Sequence, residues 1–393
     1  MKKEIKAETT LASTIHDTLR ELLNDPSDFI PLHKPVFFGR EREYITDAIN
    51  STFVSSVGAY VDRFEEALAD FCGVERAVAT VNGTAALHIA LLVAGVEPND
   101  EVILPSLTFV ATANAVRYAC AVPHFVDAED RTLGIDPEKL GTHLERVAGL
   151  RSGDCYNQET GRRIRALVPM HTFGMPSRLV KLLEVADRFG LVLVEDAAES
   201  LGSYYNGKHC GSFGKVSSLS FNGNKVITTG GGGAILTNDE DLADQAKHIT
   251  TTAKVPHKWR YDHDMVGYNY RMPNLNAALG VAQLEQLPGI LKQKRDLSDR
   301  YEKAFQNVDG AMFLKEPDGC TSNYWLNALL LDRGNEGALE PILEATNNKG
   351  IMTRPAWTPM HQLPMFKDCP RMDLATAEDL VSRLINVPSS AGL

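Results

Sequence analysis

The sequence has few cysteines, no long apolar run and no apolar segment at its start. Its six cysteines show neither CxxC spacing nor a cluster with histidines, which argues against a disulfide framework and predicts reduced thiols. The most apolar run, TAALHIALLVAGV, contains a histidine and is too short to cross a bilayer. The charged and polar N-terminus lacks the core of a signal peptide. We therefore expect a cytoplasmic protein with no membrane partner.

Basic residues are scarce relative to acidic ones. Lysine and arginine total 40 against 51 aspartates and glutamates, which gives a formal net charge of −11. Such a chain repels a phosphate backbone, so nonspecific nucleic-acid binding is not expected. The classical dinucleotide and Walker glycine patterns are missing too, which argues against a dehydrogenase. An anionic substrate would need a local cluster of hydrogen-bond donors.

What is present is an alternation of short apolar runs with helix-like segments. Between residues 76 and 194, runs of Val, Ile, Leu and Ala alternate with helical patterns, which predicts an α/β fold with a mostly parallel sheet buried on both faces. A chain of 393 residues exceeds what one core usually supports. We predict an N-terminal helical segment over residues 1–34, a large domain over 35–275 and a smaller α+β domain over 276–393.

The residues that follow each predicted strand are the candidates for ligand binding, because parallel sheets bind ligands beyond the carboxyl ends of their strands. In VNGTAALHIALL, Asn82, Gly83 and Thr84 join a strand to a helix. Unpaired N–H groups and the helix dipole at such a helix start can hold a phosphate. The alternative is that Asn82 or Thr84 only caps the helix.

The stretch LVLVEDAAES ends a buried run with Glu195 and Asp196. A buried carboxylate needs a partner, because desolvating an isolated charge is expensive. Asp196 could cap a turn, bind a metal or face a cationic ring nitrogen. The lack of convergent His and Cys spacing argues against a metal.

The stretch SFNGNKVITTGGGG places Lys225 between asparagines and a run of four glycines. This is either a flexible turn with a solvated charge or a backbone bent closely around a ligand. Desolvation or a neighbouring charge can activate a lysine to condense with an aldehyde. A single lysine, a strand-end carboxylate and a phosphate-holding turn together indicate bound pyridoxal 5'-phosphate (PLP).

These residues lie in an ordered set of motifs that extends from about residue 31 to the C-terminus. The set resembles the sugar aminotransferases of the DegT/DnrJ/EryC1/StrS family, which implies the aspartate aminotransferase fold, also called PLP fold type I. The motifs are NGTAALHIAL, PSLTFVATANAV, VEDAAES, SFNGNK, TTGGGGAI and GYNYRMPNLNAALGVAQL.

The resemblance implies a role for each matching residue around PLP. Lys225 would bind the cofactor aldehyde covalently and then move protons between substrate and cofactor. Asp196 would pair with the ring nitrogen, Phe109 would stack on the ring, and Glu199 would contact the phenolic oxygen. Because family members that dehydrate their substrate have histidine at the lysine position, Lys225 favours amino transfer.

The resemblance also implies a homodimer with shared active sites. Gly83, Thr84 and Ser220 would hold the phosphate, joined by the partner subunit's Asn269. Arg271 and His361 are candidates for binding the nucleotide-linked ketosugar, at its sugar or its diphosphate.

A narrower resemblance lies in the C-terminal motifs TRPAWTPMHQLPMF and INVPSSAGL, taken together with SFNGNKVITTGGGG. They are similar to enzymes that make 4-amino sugars for legionaminic acid or bacillosamine. The expected reaction moves the amino group of L-glutamate to C4 of a nucleotide-linked 4-keto-6-deoxy sugar, with a UDP-linked 2-acetamido-2,6-dideoxy-4-ketohexose as acceptor. A GDP- or dTDP-linked ketosugar, amination at C3, and a noncatalytic relative that binds a nucleotide sugar are the alternatives.

Overall fold

The computed structural model describes residues 2–24 and 28–393 of the chain. Within them the helices are α1 (Lys2–Leu22), α2 (Glu41–Asn50), α3 (Ala59–Cys72), α4 (Gly83–Val93), α5 (Val110–Tyr118), α6 (Pro137–Val147), α7 (Leu179–Phe189), α8 (Glu240–Thr250), α9 (Asn274–Phe305), α10 (Leu339–Asn347) and α11 (Ala375–Val381). The strands are β1 (Arg76–Thr80), β2 (Glu101–Pro105), β3 (Val122–Val126), β4 (Ala148–Arg151), β5 (Asp154–Asn157), β6 (Arg163–Leu167), β7 (Val192–Asp196), β8 (Tyr204–Tyr205), β9 (Lys208–His209), β10 (Val216–Ser220), β11 (Gly233–Thr237), β12 (Ala311–Phe313), β13 (Cys320–Thr321), β14 (Asn327–Leu331), β15 (Arg354–Pro355) and β16 (Leu384–Val387).

The largest sheet in the described residues runs in the order β1-β11-β10-β7-β6-β2-β3, with the β4–β5 hairpin beside β6. Strands β10, β7, β6, β2 and β3 are parallel, whereas β11 is antiparallel to both β1 and β10. The predicted α/β fold with a mostly parallel sheet is confirmed. In the register, Gly233 lies opposite both Thr80 and Ser220. The carboxyl ends of β1 and β10 therefore meet at one edge of the sheet.

Local sequence signals explain where several elements begin and end. Strand β2 is buried along its whole length, as its continuous apolar run predicts. The side chain of Asp136 caps α6, and Pro137 starts that helix with a favourable backbone angle. Helices α3 and α7 end at Gly73 and Gly190, whose φ angles of 65° and 67° are left-handed and favour glycine.

A second, antiparallel sheet in the order β12-β14-β16-β15 forms the C-terminal region. Ile15 and Leu19 of α1 share an apolar cluster with Tyr301, Leu329 and Ile342, so the N-terminal helix packs on this region. Helix α9 begins at residue 274, so the predicted boundary at 275/276 falls in its first turn. The three-way division stays a prediction, and residues 1 and 25–27 of the predicted N-terminal segment lie outside the described residues.

The small sheet β13-β8-β9 links the two regions. Strands β8 and β9 precede α9 in the sequence, whereas β13, which pairs with β8, follows it. In the part of the chain that the structure describes, no helix is both long enough and apolar enough to cross a membrane.

Candidate active site

A cavity opens at the carboxyl ends of β7 and β10, beside the start of α4. Its volume of about 340 Å³ lies in the range of small-molecule sites. It is lined by Asn82, Gly83, Thr84, Leu87, Phe109, Ala111, Thr112, Met170, Asp196, Ala198, Glu199, Ser220, Asn222, Asn224, Lys225, Trp325 and Trp357. The residues predicted to hold the cofactor from within one subunit are thus brought together here.

A larger depression of about 520 Å³ lies along α6. Several of its charged groups already have partners, because Lys139 Nζ pairs with Asp127 Oδ2 at 2.6 Å and Glu138 pairs with Arg178. The cavity at the strand ends is therefore the stronger candidate for a functional site.

The helix start of α4 forms one wall of the cavity. The side chain of Asn82 caps the helix, because its Oδ1 accepts a 2.8 Å hydrogen bond from the N–H of Ala85. Gly83 and Thr84 line the cavity at the first helical positions, where N–H groups have no intrahelical partner and the helix dipole adds positive charge. Helix capping and anion binding are compatible at this turn, because Asn82 is the N-cap and the adjoining residues can hold an anion.

Close backbone packing explains two glycines around this turn. A Cβ atom at Gly83 would lie 2.7 Å from the Cβ of Ser220, and one at Gly233 would lie 2.5 Å from the carbonyl group of Asn82. Real Cβ atoms do not approach this closely. The start of β11 therefore passes directly behind the turn that begins α4.

Asp196 ends β7 as a buried carboxylate on the cavity wall. Its Oδ2 accepts a 2.7 Å hydrogen bond from the Thr112 hydroxyl, and its Oδ1 accepts one of 3.2 Å from the N–H of Ala198. The hydroxyls of Thr108 and Thr112 lie 2.8 Å apart. Burial raises the pKa of Asp196, although these donors and Lys225 partly offset it. A cationic N–H group in the cavity would favour the ionised carboxylate.

Successive side chains of a strand point to opposite faces of the sheet, so Glu195 lies on the other face from Asp196 and has a different environment. Burial opposes its ionisation, but His171 and backbone donors outweigh burial and lower the pKa of Glu195. The His171 Nδ1 atom accepts from the N–H of Ser177, so its Nε2 carries the hydrogen that is donated to Glu195 over 3.1 Å. The backbone donors are Gly211, Phe213 and Gly214.

Lys225 reaches the cavity beside an acidic and an aromatic side chain. Its Nζ lies 3.2 Å from Oε1 of Glu199 and 3.8 Å from the ring centroid of Trp325. The other carboxylate oxygen of Glu199 accepts a 2.9 Å hydrogen bond from the N–H of Phe173. Burial raises the pKa of Glu199 to about 7, although Lys225 opposes this shift. Glu199 can therefore hold or release a proton near neutral pH.

An aromatic wall completes the cavity. The ring of Phe109, which is 47% exposed, lies 6.0 Å from that of Trp357, which lies 4.9 Å from Phe173. Sequence reasoning missed Trp325, Trp357 and Thr112 as site residues. Trp325 occurs in the strand-like run NYWLNALLL, and Trp357 occurs in the motif TRPAWTPMHQLPMF. The rarity of tryptophan, with three in the chain, was the available signal.

Three predicted site residues lie elsewhere in the subunit. Asn269 and Arg271 are not on the cavity wall, and the guanidinium of Arg271 donates two hydrogen bonds to Oδ1 of Asn269, at 3.0 and 2.8 Å. His361 is buried, with Nδ1 2.7 Å from the Ser106 hydroxyl and Nε2 2.9 Å from Oε1 of Glu378. Both of its ring nitrogens are thus engaged inside the protein.

Comparison with known proteins shows the family of the chain. The profile of the DegT/DnrJ/EryC1/StrS aminotransferase family matches residues 38–393. The chain is 36% identical to a GDP-perosamine synthase of Escherichia coli over 93% of this chain and 94% of that protein. It is 37% identical to a GDP-perosamine synthase of Caulobacter vibrioides, over 93% and 94% respectively. A crystal structure of a DegT/DnrJ/EryC1/StrS aminotransferase from Brucella abortus superposes with a TM-score of 0.81 at 28% identity, covering 90% of this chain and 91% of that one.

The residues of the cavity fit PLP. The start of α4 offers donors for a phosphate, and the glycine contacts leave no room there for a side chain. Buried Asp196 can take a ring N–H as its partner, and Lys225 is the lysine on the cavity wall. The chain therefore belongs to the DegT/DnrJ/EryC1/StrS aminotransferase family and is a PLP-dependent nucleotide-sugar aminotransferase.

Proposed function

We propose that this enzyme transfers the amino group of L-glutamate to C4 of a nucleotide-linked 4-keto-6-deoxy sugar. The observation that carries the proposal is the placement of Lys225 against Glu199 in the cavity that Asp196 also lines. A lysine, a proton-holding acid and a ring-facing carboxylate are what amino transfer with PLP requires. Family members that dehydrate their substrate have histidine at the position of Lys225, so the lysine favours amino transfer.

The bound cofactor supplies a carbonyl carbon that accepts an amino group and a ring that accepts electrons. Asp196 would face the protonated ring nitrogen, and Thr112 orients that carboxylate. Lys225, which contacts Glu199, would move a proton to and from the reacting carbon, and Glu199 would contact the phenolic oxygen. Phe109 would stack on the ring, while Gly83, Thr84 and Ser220 would bind the phosphate.

The relatives and the sequence motifs support different nucleotides for the acceptor sugar. The GDP-perosamine synthases among the relatives support a GDP-linked 4-ketosugar. The UDP-linked 2-acetamido-2,6-dideoxy-4-ketohexose of legionaminic acid or bacillosamine synthesis is supported only by the sequence resemblance of the C-terminal motifs and SFNGNKVITTGGGG. We rank the GDP-linked acceptor first and keep the UDP-linked one as its competitor.

Two subunits build each active site in this proposal. Asn269 and Arg271 lie outside their own subunit's cavity, next to a segment with exposed Trp259, Tyr261 and Val266. An exposed apolar patch supports a subunit contact. The partner subunit's Asn269 would complete the phosphate site. Arg271 and His361 stay predictions as substrate contacts, and His361 would first have to leave Ser106 or Glu378.

The test is a side-by-side assay with ¹⁵N-labelled L-glutamate and purified GDP-linked and UDP-linked 4-ketosugars. NMR of the product identifies the aminated carbon and the preferred nucleotide. We expect label at C4 with the GDP-linked substrate. Label at C3 would overturn the proposed ring position, and transfer only to the UDP-linked sugar would overturn the proposed nucleotide. No transfer to any ketosugar would refute the reaction.

A further inference from the structure

The amino group of Lys225 lies between two side chains that can stabilise a positive charge. Oε1 of Glu199 is 3.2 Å away, and the ring of Trp325 is centred 3.8 Å away. Trp325 and Glu199 are both buried, whereas Lys225 is nearly so. An aromatic face attracts a cation more strongly when water is excluded, and the carboxylate adds to this attraction. The arrangement is complementary to an ammonium group.

Trp325 is held in place at three separate atoms. Its backbone N–H donates to Oδ1 of Asn323 over 2.8 Å, and its indole N–H donates to the carbonyl of Asn224 over 2.6 Å. Its own carbonyl accepts a 3.3 Å hydrogen bond from Nζ of Lys294. Since Asn224 immediately precedes Lys225, the indole is tied to the same backbone segment that carries the lysine.

One side chain connects the tryptophan with the glutamate. The amide nitrogen of Asn323 donates to the carbonyl of Glu199 over 2.8 Å, while its oxygen accepts from Trp325. A Cβ atom at Gly174 would lie 1.9 Å from that oxygen, so a glycine is required for Asn323 to fit. The spacing between Glu199 and Trp325 is therefore fixed by packing, independently of the lysine.

We propose that Glu199 and Trp325 form a seat for the Lys225 ammonium whenever Lys225 is not covalently bound to the cofactor, and that Trp325 is a positioning residue. The inference rests on the proposed role of Lys225. Covalent attachment joins Nζ to the cofactor's aldehyde carbon with loss of one water, so the lysine leaves the seat. Pyridoxamine 5'-phosphate has no aldehyde, so Lys225 stays in the seat when it is bound.

The seat therefore stabilises the complex with pyridoxamine phosphate relative to the complex with PLP. Calorimetric titration of the apoenzyme with each compound measures both dissociation constants without any turnover. We expect Trp325→Leu to raise the ratio of the pyridoxamine phosphate constant to the PLP constant about tenfold. Trp325→Phe keeps a weaker aromatic face and should raise it about threefold.

The background variant Lys225→Ala separates a seat from a direct contact with the cofactor. In that background Trp325→Leu should leave the ratio unchanged, because no ammonium remains to be seated. An unchanged ratio in the single Trp325→Leu variant would overturn the proposal, and so would an equal change with and without Lys225. If Trp325→Leu does not fold, the Phe and Tyr variants give the same test. A covalently bound cofactor in Lys225→Ala would instead refute the proposed function.

Discussion

The hydroxyl of Thr112, on α5, donates a 2.7 Å hydrogen bond to Oδ2 of Asp196 at the end of β7. The bond favours the ionised carboxylate against the effect of burial, which raises the pKa of Asp196. Hydrogen bonds to charged groups contribute about 1.5–3 kcal/mol. Thr112→Val should therefore weaken PLP binding by tenfold or more.

Absorbance titration of the apoenzyme with PLP checks the role of Thr112. Thr112→Ser keeps the hydroxyl and serves as the matched control, with affinity close to that of the unchanged protein. Equal affinity in the Val and Ser variants would show that the hydroxyl does not support Asp196.

The glycine run provides a second matched pair. A Cβ atom at Gly233 would lie 2.5 Å from the carbonyl of Asn82, whereas one at Gly231 meets nothing within 4 Å. Gly233→Ala must displace β11 or the phosphate turn, which costs about 1–3 kcal/mol. Gly231→Ala should leave thermal stability and PLP affinity nearly unchanged. Thermal unfolding of both variants, with and without PLP, measures the contrast, and equal tolerance of the two changes would contradict the close packing.

Sequence reasoning identified the parts of the site that lie at strand ends. Asp196 and the turn at Gly83 follow buried runs, and the carboxyl ends of parallel strands meet at one edge whatever the details of packing. Ser220 was named only through the family resemblance. The antiparallel placement of β11 between β1 and β10 was not specified by those local patterns. Strand direction depends on the whole topology.

The contribution of the C-terminal region was harder to predict. Trp325 reads as part of a strand, yet β14 begins only at Asn327. Its indole N–H donates to the carbonyl of Asn224, and its own carbonyl accepts from Lys294. These contacts join residues far apart in the sequence, so periodicity gives no information about them. The same limit applies to His361, whose contacts with Ser106 and Glu378 come from distant segments.

Glu199 predicts a pH dependence of stability in the apoenzyme. Burial raises its pKa from the usual 4.5 to about 7, so the folded protein binds this proton more tightly than the unfolded chain does. The free energy of unfolding should therefore fall as pH rises from about 4.5 to 7. The full shift corresponds to roughly 3 kcal/mol. Asp196, whose pKa is also raised, adds a change of the same sign.

Glu199→Gln removes this titration. The free energy of unfolding of the variant, minus that of the unchanged protein, should rise between pH 4 and pH 8 by at most roughly 3 kcal/mol. Urea unfolding of both apoproteins across this range gives the difference directly. A difference that stays constant with pH would mean that the pKa of Glu199 is the same in the folded and the unfolded protein.

Subunit mixing tests whether the active sites are shared. Lys225→Ala and Asn269→Ala should each be inactive as homodimers if the partner subunit's Asn269 completes the site. In a refolded equal mixture, one site of each mixed dimer is intact, so about a quarter of the full activity should return. A Lys225→Ala, Asn269→Ala double variant mixed with itself is the control. No recovery in a mixture shown to contain mixed dimers would place both residues in the same subunit's site.

The most direct test of the account is chemical identification of the lysine that binds the cofactor. The enzyme is incubated with PLP, reduced with borohydride and digested, and the modified peptide is sequenced by mass spectrometry. We expect the phosphopyridoxyl group on Lys225, and we expect no modified peptide from Lys225→Arg. A label on another lysine, above all on Lys294, the buried lysine whose pKa burial lowers to about 7, would contradict the account.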